Sequence, residues 1–276
     1  NGVSLSDVKM NANLSLYDGN TSSEIHQILI KSANDLISTS TPNYQYVAAR
    51  LLNMQLRKEV WGYGDQPTDF LMFIRRNVDN GVYDPQLEKK WSEEQIDSLG
   101  KYINHGRDDM FTYAGLQQLI DKYLVKNRST GNIYETPQFA YMCIAMCLFD
   151  NIDEVKKAYD CYSTFKINLP TPIMAGVRTN IRQFSSCVLV DVDDNLDAIF
   201  SSVHAVGKYT ARRAGIGLNI GRMRPINSPI RGGEVIHTGL IPYLKNFESA
   251  VKSTSQNGLR GGSATVHIPF WHYEID

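Results

Sequence analysis

The sequence has no long apolar run. No stretch of its 276 residues reaches the length of a membrane-spanning helix, and no signal-peptide pattern is visible, so a membrane role is not expected. It also has no excess of one charge. Lys and Arg number 28 against 29 Asp and Glu, and the net charge of −1 gives no global field that would favour nucleic acid or a lipid surface. Cysteine is scarce. Cys143, Cys147, Cys161 and Cys187 make no disulfide framework in a chain of this length and fit a reducing cytoplasm. Cys143 and Cys147 are spaced i, i+4 in an apolar helix-like run and share one face. No further ligand accompanies them, so core packing is expected and no metal site. The chain opens on Asn1 rather than Met, and an upstream segment is expected to have been removed or left out.

What is present is ordinary for a globular chain: 42% hydrophobic and 21% charged residues, enough for a large core in one or two domains. Residues 1–182 read as mainly helical. Thr21-Ser22-Ser23-Glu24 and Ser92-Glu93-Glu94-Gln95 fit capping boxes. Helices are expected after Pro42, from Thr68 to Val78 with Asn80-Gly81 as its stop, from Pro137 to about Asp150, and from Asp153 to Phe165. Lys122–Lys126 and Asn132–Glu135 flank Asn127-Arg128-Ser129-Thr130-Gly131 and predict a β-hairpin. Pro170 and Pro172 are expected to break the helical pattern.

The texture changes near residue 183. Val188, Leu189 and Val190 predict a short buried strand. Asp194-Asn195-Leu196-Asp197 can cap a helix running to about Arg213. Nine of the twenty glycines fall between Gly215 and Gly262, a density that implies unusual backbone angles or close approach to a ligand. Gly239–Ser253 predicts another helix and Thr265–Phe270 a second strand. This order is that of an α/β domain, and the two strands and two helices it supplies cannot close one. Completion of the sheet or barrel by another polypeptide is expected.

Acidic residues are missing from Ala198 to Gly233, where Lys208, Arg212, Arg213, Arg222, Arg224 and Arg231 stand among glycines. That composition suits phosphate, which Arg grips bidentately, although a solvated positive face would look the same. Gly215-Ile216-Gly217-Leu218-Asn219-Ile220-Gly221 is a poor dinucleotide fingerprint: its third glycine is one position late and it follows a helix-like run. No Walker lysine is present, and only Tyr209 interleaves the basic residues, against nucleic-acid binding. Cys187 follows two hydroxyls in Gln183-Phe184-Ser185-Ser186-Cys187. A thiol beside phosphate-binding chemistry suggests redox work on a phosphorylated substrate, and a core cysteine is the plainer alternative.

Several segments, in order, carry a family resemblance. Leu169–Arg178, Arg182–Val188, Arg213–Gly217, Ser228–Gly233 and Arg260-Gly261-Gly262 leading to Trp271-His272 resemble the large, catalytic subunit of class I ribonucleotide reductase. The resemblance implies an α/β protein: a mainly α-helical N-terminal domain, then the first portion of a ten-stranded α/β barrel. It implies residues 1–60 as a remnant of ATP-cone-like helices, 61–182 as the helical domain, and 183–276 as the first part of the barrel. The family reduces ribonucleoside diphosphates by radical chemistry. By resemblance, Cys187 is one of the cysteine pair that supplies two electrons; free thiols are mostly protonated at neutral pH, so it can give a proton to the leaving hydroxyl.

Thr171, Ser186, Ala214 and Gly215 correspond to substrate-binding positions. Asp194, Asn195 and Leu196 correspond to contacts with the nucleoside of an allosteric triphosphate (a dNTP or ATP), and Arg224 and Arg231 to ligands of its phosphates. Gln256 and Arg260 lie in the loop that carries effector identity to the substrate. Ser22 and Lys58 match cone positions that bind ATP in relatives. The family's radical cysteine and the second cysteine of the pair have no counterpart here.

The resemblance further implies a second polypeptide carrying the rest of the subunit, homodimerisation, a small subunit with a di-iron tyrosyl radical cofactor, and thioredoxin or glutaredoxin as reductant. No cofactor or metal is expected on this chain. A naturally split subunit and a piece of a longer chain both fit. The rival from another class is a non-enzymatic nucleotide-binding or regulatory protein that keeps Asp194, Arg224 and Arg231 and does no chemistry.

Overall fold

The computed structural model describes residues 2–62, 66–127, 129–254 and 262–275. The chain divides into two compact units, Asn1–Leu169 with Arg178–Asn180, and Pro170–Val177 with Ile181–Asp276.

The first unit is helical. Its elements are α1 (Leu5–Asn13), α2 (Ser22–Asp35), α3 (Tyr44–Trp61), α4 (Phe70–Asp79), α5 (Gln86–Lys89), α6 (Glu93–Tyr102), a 3₁₀ turn (His105–Met110), α7 (Tyr113–Lys122), α8 (Pro137–Leu148) and α9 (Ile152–Ser163). Both predicted capping boxes form: Thr21 and Ser92 accept from the backbone of Glu24 and Gln95, whose side chains return the bond. The centre is α8. Every residue from Pro137 to Met146 is buried, the pattern of a helix surrounded on all sides. Its Phe139 ring lies 4.2 Å from that of Phe73 in α4. Cys143 sits in this core, and burial pushes its thiol well above the usual range, so it is inert packing. The expected hairpin forms in short form: Lys126 and Ile133 make an antiparallel bridge, Asn127 N–H donates to the Asn132 carbonyl at 2.8 Å and Tyr134 N–H to the Val125 carbonyl at 3.0 Å, while Lys122 of the first arm ends α7.

A buried ion pair closes the unit. Arg178 and Glu135 are both 0% exposed. Arg178 Nε donates to Glu135 Oε2 at 2.8 Å, and Nη2 donates to Oε1 and to the Tyr123 carbonyl, the latter at 3.0 Å. The Tyr83 hydroxyl and the Val125 N–H (2.6 Å) also donate to this carboxylate. The Arg178 carbonyl accepts from Asp84 N–H at 2.9 Å. Such a pair persists only when both charges are saturated with hydrogen bonds. Arg178→Met should therefore cost about 3–5 kcal/mol by stranding Glu135. Urea unfolding measures this, and a loss below about 1 kcal/mol would deny the pair its structural role.

Nearby, Asp108 accepts from Arg57 Nη2 at 3.0 Å and Gln138 Nε2 at 2.9 Å. Burial raises its carboxyl from 3.8 to about 6, against the lowering effect of those two donors. Burial, and then Arg57, lowers His105 from 6.5 to about 4. The signs oppose. The Asp108 contribution is present below its unfolded value and lost as pH rises through about 6; the His105 contribution is present above 6.5 and lost as pH falls towards 4. Asp108→Asn should unmask the histidine and steepen the loss of stability on acidification from pH 6 to 4. Equal slopes in the two proteins would contradict this.

The second unit begins with α10 (Thr171–Gly176). Here the prolines do not simply break the pattern: Pro172 sits in the first turn, where its missing N–H costs nothing. Then come β1 (Cys187–Asp191), α11 (Leu196–Ala211), β2 (Gly215–Asn219), the short pair β3 (Pro229–Ile230) and β4 (Val235–Ile236), α12 (Leu240–Thr254) and β5 (Ala264–His267). β1, β2 and β5 form a parallel sheet in the order β1-β2-β5, while β3 and β4 make an antiparallel ribbon with Arg231–Gly233 at its tip.

Val188, Val190, Ile216 and Leu218 pack with Ile199, Val206 and Phe247 of α11 and α12. By alternation, Cys187, Leu189, Asp191, Gly215, Gly217 and Asn219 face the other way. β1 is consequently not the fully buried strand expected: Leu189 is 85% exposed. β2, the central strand, was hidden in the glycine-rich stretch. Its glycines mark close approach. A Cβ at Gly217 would lie 2.6 Å from Leu189 Cδ2, and one at Gly221, just beyond the strand, 2.4 Å from Pro269 Cδ.

Candidate functional site

Parallel pairing sets Cys187 opposite Gly215, and Gly215 N–H donates to the Ser186 carbonyl at 2.8 Å. Ser186 Oγ lies 3.9 Å from Cys187 Sγ. Cys187 is exposed in this structure, on the uncovered face of the sheet. Ala214 is buried, with its N–H donated to the Tyr209 carbonyl at 3.1 Å, so its methyl group is not presented to solvent. Thr171 opens α10. That helix is tied to the start of β2 by Arg213, whose Nη1 lies 3.5 Å from the Ala175 carbonyl. Gly176 permits the packing, since a Cβ there would sit 2.6 Å from the Ile181 carbonyl oxygen. Ser186, Cys187, Ala214 and Gly215 thus gather at the N-terminal ends of β1 and β2, with α10 attached there.

Asp194, Asn195, Leu196, Arg224 and Arg231 lie beyond the opposite ends of these strands, about 13 Å away for a five-residue strand. Asn195 caps α11 by accepting from Ala198 N–H at 2.8 Å, which commits its side chain locally, and Leu196 is the exposed first residue of the helix. Asp194 takes the Arg224 N–H at 3.0 Å and Nε at 2.7 Å. Arg224 also donates to the Pro229 carbonyl at 3.3 Å, which holds it to the base of the β3–β4 ribbon. Arg231 is exposed at the ribbon tip, where positive φ at Arg231, Gly232 and Gly233 explains the paired glycines.

The basic stretch is isolated only along the chain. Besides the Asp194–Arg224 pair, Arg222 reaches Asp193 at 3.0 Å and Asp191 at 3.4 Å. Asn219 Nδ2 donates to Asp191 at 2.7 Å. Asp191 at the end of β1 and the acidic turn after it supply all of these partners, and the clustering of Asp191, Asp193 and Asp194 was the sequence signal for them. Between the two ends, a cavity of about 810 Å³ lies against the open face of the sheet, lined among others by Leu189, Asp191, Gly217, Asn219, His267 and Trp271.

Ser22, the first residue of α2, and Lys58, in the last turn of α3, belong to the helical unit. Gln256 and Arg260 lie outside the described residues. Among the described residues no cluster of His, Cys, Asp and Glu could hold a metal ion, and no helix is long and apolar enough to cross a membrane.

The family model for the ribonucleotide reductase all-alpha domain matches residues 109–182, and that for the ribonucleotide reductase barrel domain matches residues 185–276. The chain belongs to the ribonucleotide reductase family. It is 50% identical over 282 residues to the ribonucleoside-diphosphate reductase 1 subunit alpha of Salmonella typhimurium, covering 100% of this chain and 37% of that protein. The Escherichia coli subunit of the same name is 49% identical over 280 residues, covering 99% of this chain and 37% of that protein. The ribonucleoside-diphosphate reductase subunit alpha of Enterobacteria phage T4 is 48% identical over 282 residues, with 100% of this chain and 37% of that protein covered. The chain therefore spans a little over a third of the length of these relatives. Its helical unit followed by the start of a parallel sheet agrees with an all-alpha domain followed by a barrel domain.

Exposure separates the thiols. Under native conditions iodoacetamide should alkylate Cys187 readily, and Cys143 only through local opening, orders of magnitude more slowly. Peptide mapping by mass spectrometry reads the order, and modification of Cys143 first would contradict the fold described here.

Proposed function

We propose that this chain is part of the catalytic subunit of a ribonucleoside-diphosphate reductase, competent only when the rest of the barrel is present. The supporting observation is the register of β1 on β2, with an exposed Cys187 beside the backbone of Gly215 at one end of an open sheet face. Thr171 and Ser186 are the hydroxyl groups assigned to the diphosphate, and Ala214 and Gly215 are assigned to the nucleoside pocket beside the thiol.

A thiyl radical on a cysteine elsewhere in the assembly takes the 3′ hydrogen. Cys187 gives a proton to the departing 2′ hydroxyl, which leaves as water. Cys187 and a second thiol together supply two electrons, a disulfide forms between them, and the 3′ hydrogen returns to carbon. The net change consumes one ribonucleoside diphosphate and two thiols and yields one deoxyribonucleoside diphosphate, one disulfide and one water. A thioredoxin or glutaredoxin then restores the thiols, in a reducing cytoplasm. The radical arises on a small partner subunit.

Beyond the other end of the strands, Asp194, Leu196, Arg224 and Arg231 form the effector site for a nucleoside triphosphate at a dimer interface. A guanidinium held through Nε by a carboxylate keeps further N–H groups for phosphate oxygens. The strands between the two sites make their coupling a free energy transmitted through the sheet.

Cys187→Ser in the complete assembly should abolish CDP reduction, by about four orders of magnitude or more for a group that acts in the chemical step, and leave triphosphate affinity unchanged. Surviving turnover would remove Cys187 from the mechanism. Arg224→Ala should weaken triphosphate binding by about ten-fold or more through loss of a charge-assisted bond. Triphosphate binding by a complete assembly that reduces no substrate would favour the regulatory alternative.

A further inference from the structure

We propose that His272 and Glu274 are positioning residues for the anion site at Arg224, an inference that rests on the effector assignment above. The segment after β5 returns to the loop that follows β2. His272 is buried, with its Nε2 2.8 Å from the Met223 carbonyl and its Nδ1 accepting from Glu274 N–H at 3.2 Å. Nε2–H is accordingly the donor to Met223. The Glu274 carboxylate accepts from Ile226 N–H at 2.8 Å and from Leu240 N–H at 3.1 and 3.2 Å.

Met223 and Ile226 bracket Arg224. Two side chains of one three-residue segment therefore hold the backbone on both sides of the arginine, while Asp194 holds its N–H and Nε. The backbone of the arginine is thus held on both sides and its Nε by Asp194, and neither His272 nor Glu274 need touch a nucleotide. Leu240 is the first residue of α12, so the same carboxylate also sits at the positive end of that helix. Gly239 makes room for it: φ is +89°, and a Cβ there would lie 2.5 Å from Glu274 Oε1. The loop bearing Arg224, the start of α12 and the chain leaving β5 thus meet at one carboxylate.

The test is the dissociation constant of dTTP, measured by equilibrium dialysis on the complete large subunit. Glu274→Ala should raise it about ten-fold, the loss expected when hydrogen bonds to a charged group are removed. Glu274→Gln, which keeps the shape and one carbonyl acceptor, should raise it by a smaller factor and so give partial rescue. Gly239→Ala leaves Glu274 in place and displaces its carboxylate, and should weaken dTTP binding in the same direction. These effects are expected in variants whose unfolding midpoints match that of the native protein. Native dTTP affinity in Glu274→Ala, or in both milder variants should the alanine protein fail to fold, would overturn the positioning role. Failure of the unmutated subunit to bind dTTP, or native affinity in Arg224→Ala, would overturn the effector assignment itself and this inference with it.

Discussion

The parallel pairing of β1 with β2, covered on one face only, is the constraint on which the rest of the second unit depends. Val188, Val190, Ile216 and Leu218 must face α11 and α12, and the period of two then leaves no choice for the residues between them. Cys187 is forced onto the open face by the burial of its neighbours, opposite Gly215, which is itself buried. A slip of one residue would bury the thiol and expose the valines. The same pairing sends the acidic turn after β1 and the arginines after β2 past the other end of the sheet, where Asp194 and Arg224 meet. One hydrophobic register thus positions Cys187 and the Asp194–Arg224 pair, and keeps them a strand's length apart.

The helical unit follows a different logic. Its centre, α8, is buried all round and mostly apolar, with Gln138 as a polar contact to Asp108 and Tyr159. Arg178 and Glu135 supply a second pin. Their fully satisfied ion pair holds Arg178–Asn180 in the helical unit, although the residues on either side belong to the other. Arg178 ends one of the segments most specific to the family, and its work is structural: the guanidinium is spent on Glu135 and the Tyr123 carbonyl. The hydroxyl and thiol candidates, Thr171, Ser186 and Cys187, flank this anchored stretch in the sequence.

Much of this was legible in the sequence where local chemistry decides the outcome. Thr21–Glu24 and Ser92–Gln95 announced their helices because a capping box is a short-range bond pattern. Asn195 announced α11 for the same reason. β2 was not legible, since Gly215, Gly217 and Gly221 suggest a loop until Leu189 and Pro269 are seen to occupy the space a Cβ would need. The exposure of β1 was also hidden: an apolar β-branched run looks alike whether one face or both are covered. The hairpin was legible around the Lys126–Ile133 bridge, and only Lys122 of its first arm went to α7. At the site, Cys187 stood out by its hydroxyl neighbours, whereas the partners of Arg222 and Arg224 lie about thirty residues away and meet them only through the sheet. His272 and Glu274 bond to backbone groups, which leave no mark on residue identity.

The account stands or falls on the redox role of Cys187. The most direct measurement is a single turnover of the complete reductase with CDP, without external reductant, quenched in acid with alkylation and mapped by mass spectrometry. The account predicts that Cys187 is recovered in a disulfide in proportion to the dCDP formed, while Cys143, Cys147 and Cys161 remain free thiols. Formation of dCDP with Cys187 still reduced and alkylated would contradict it.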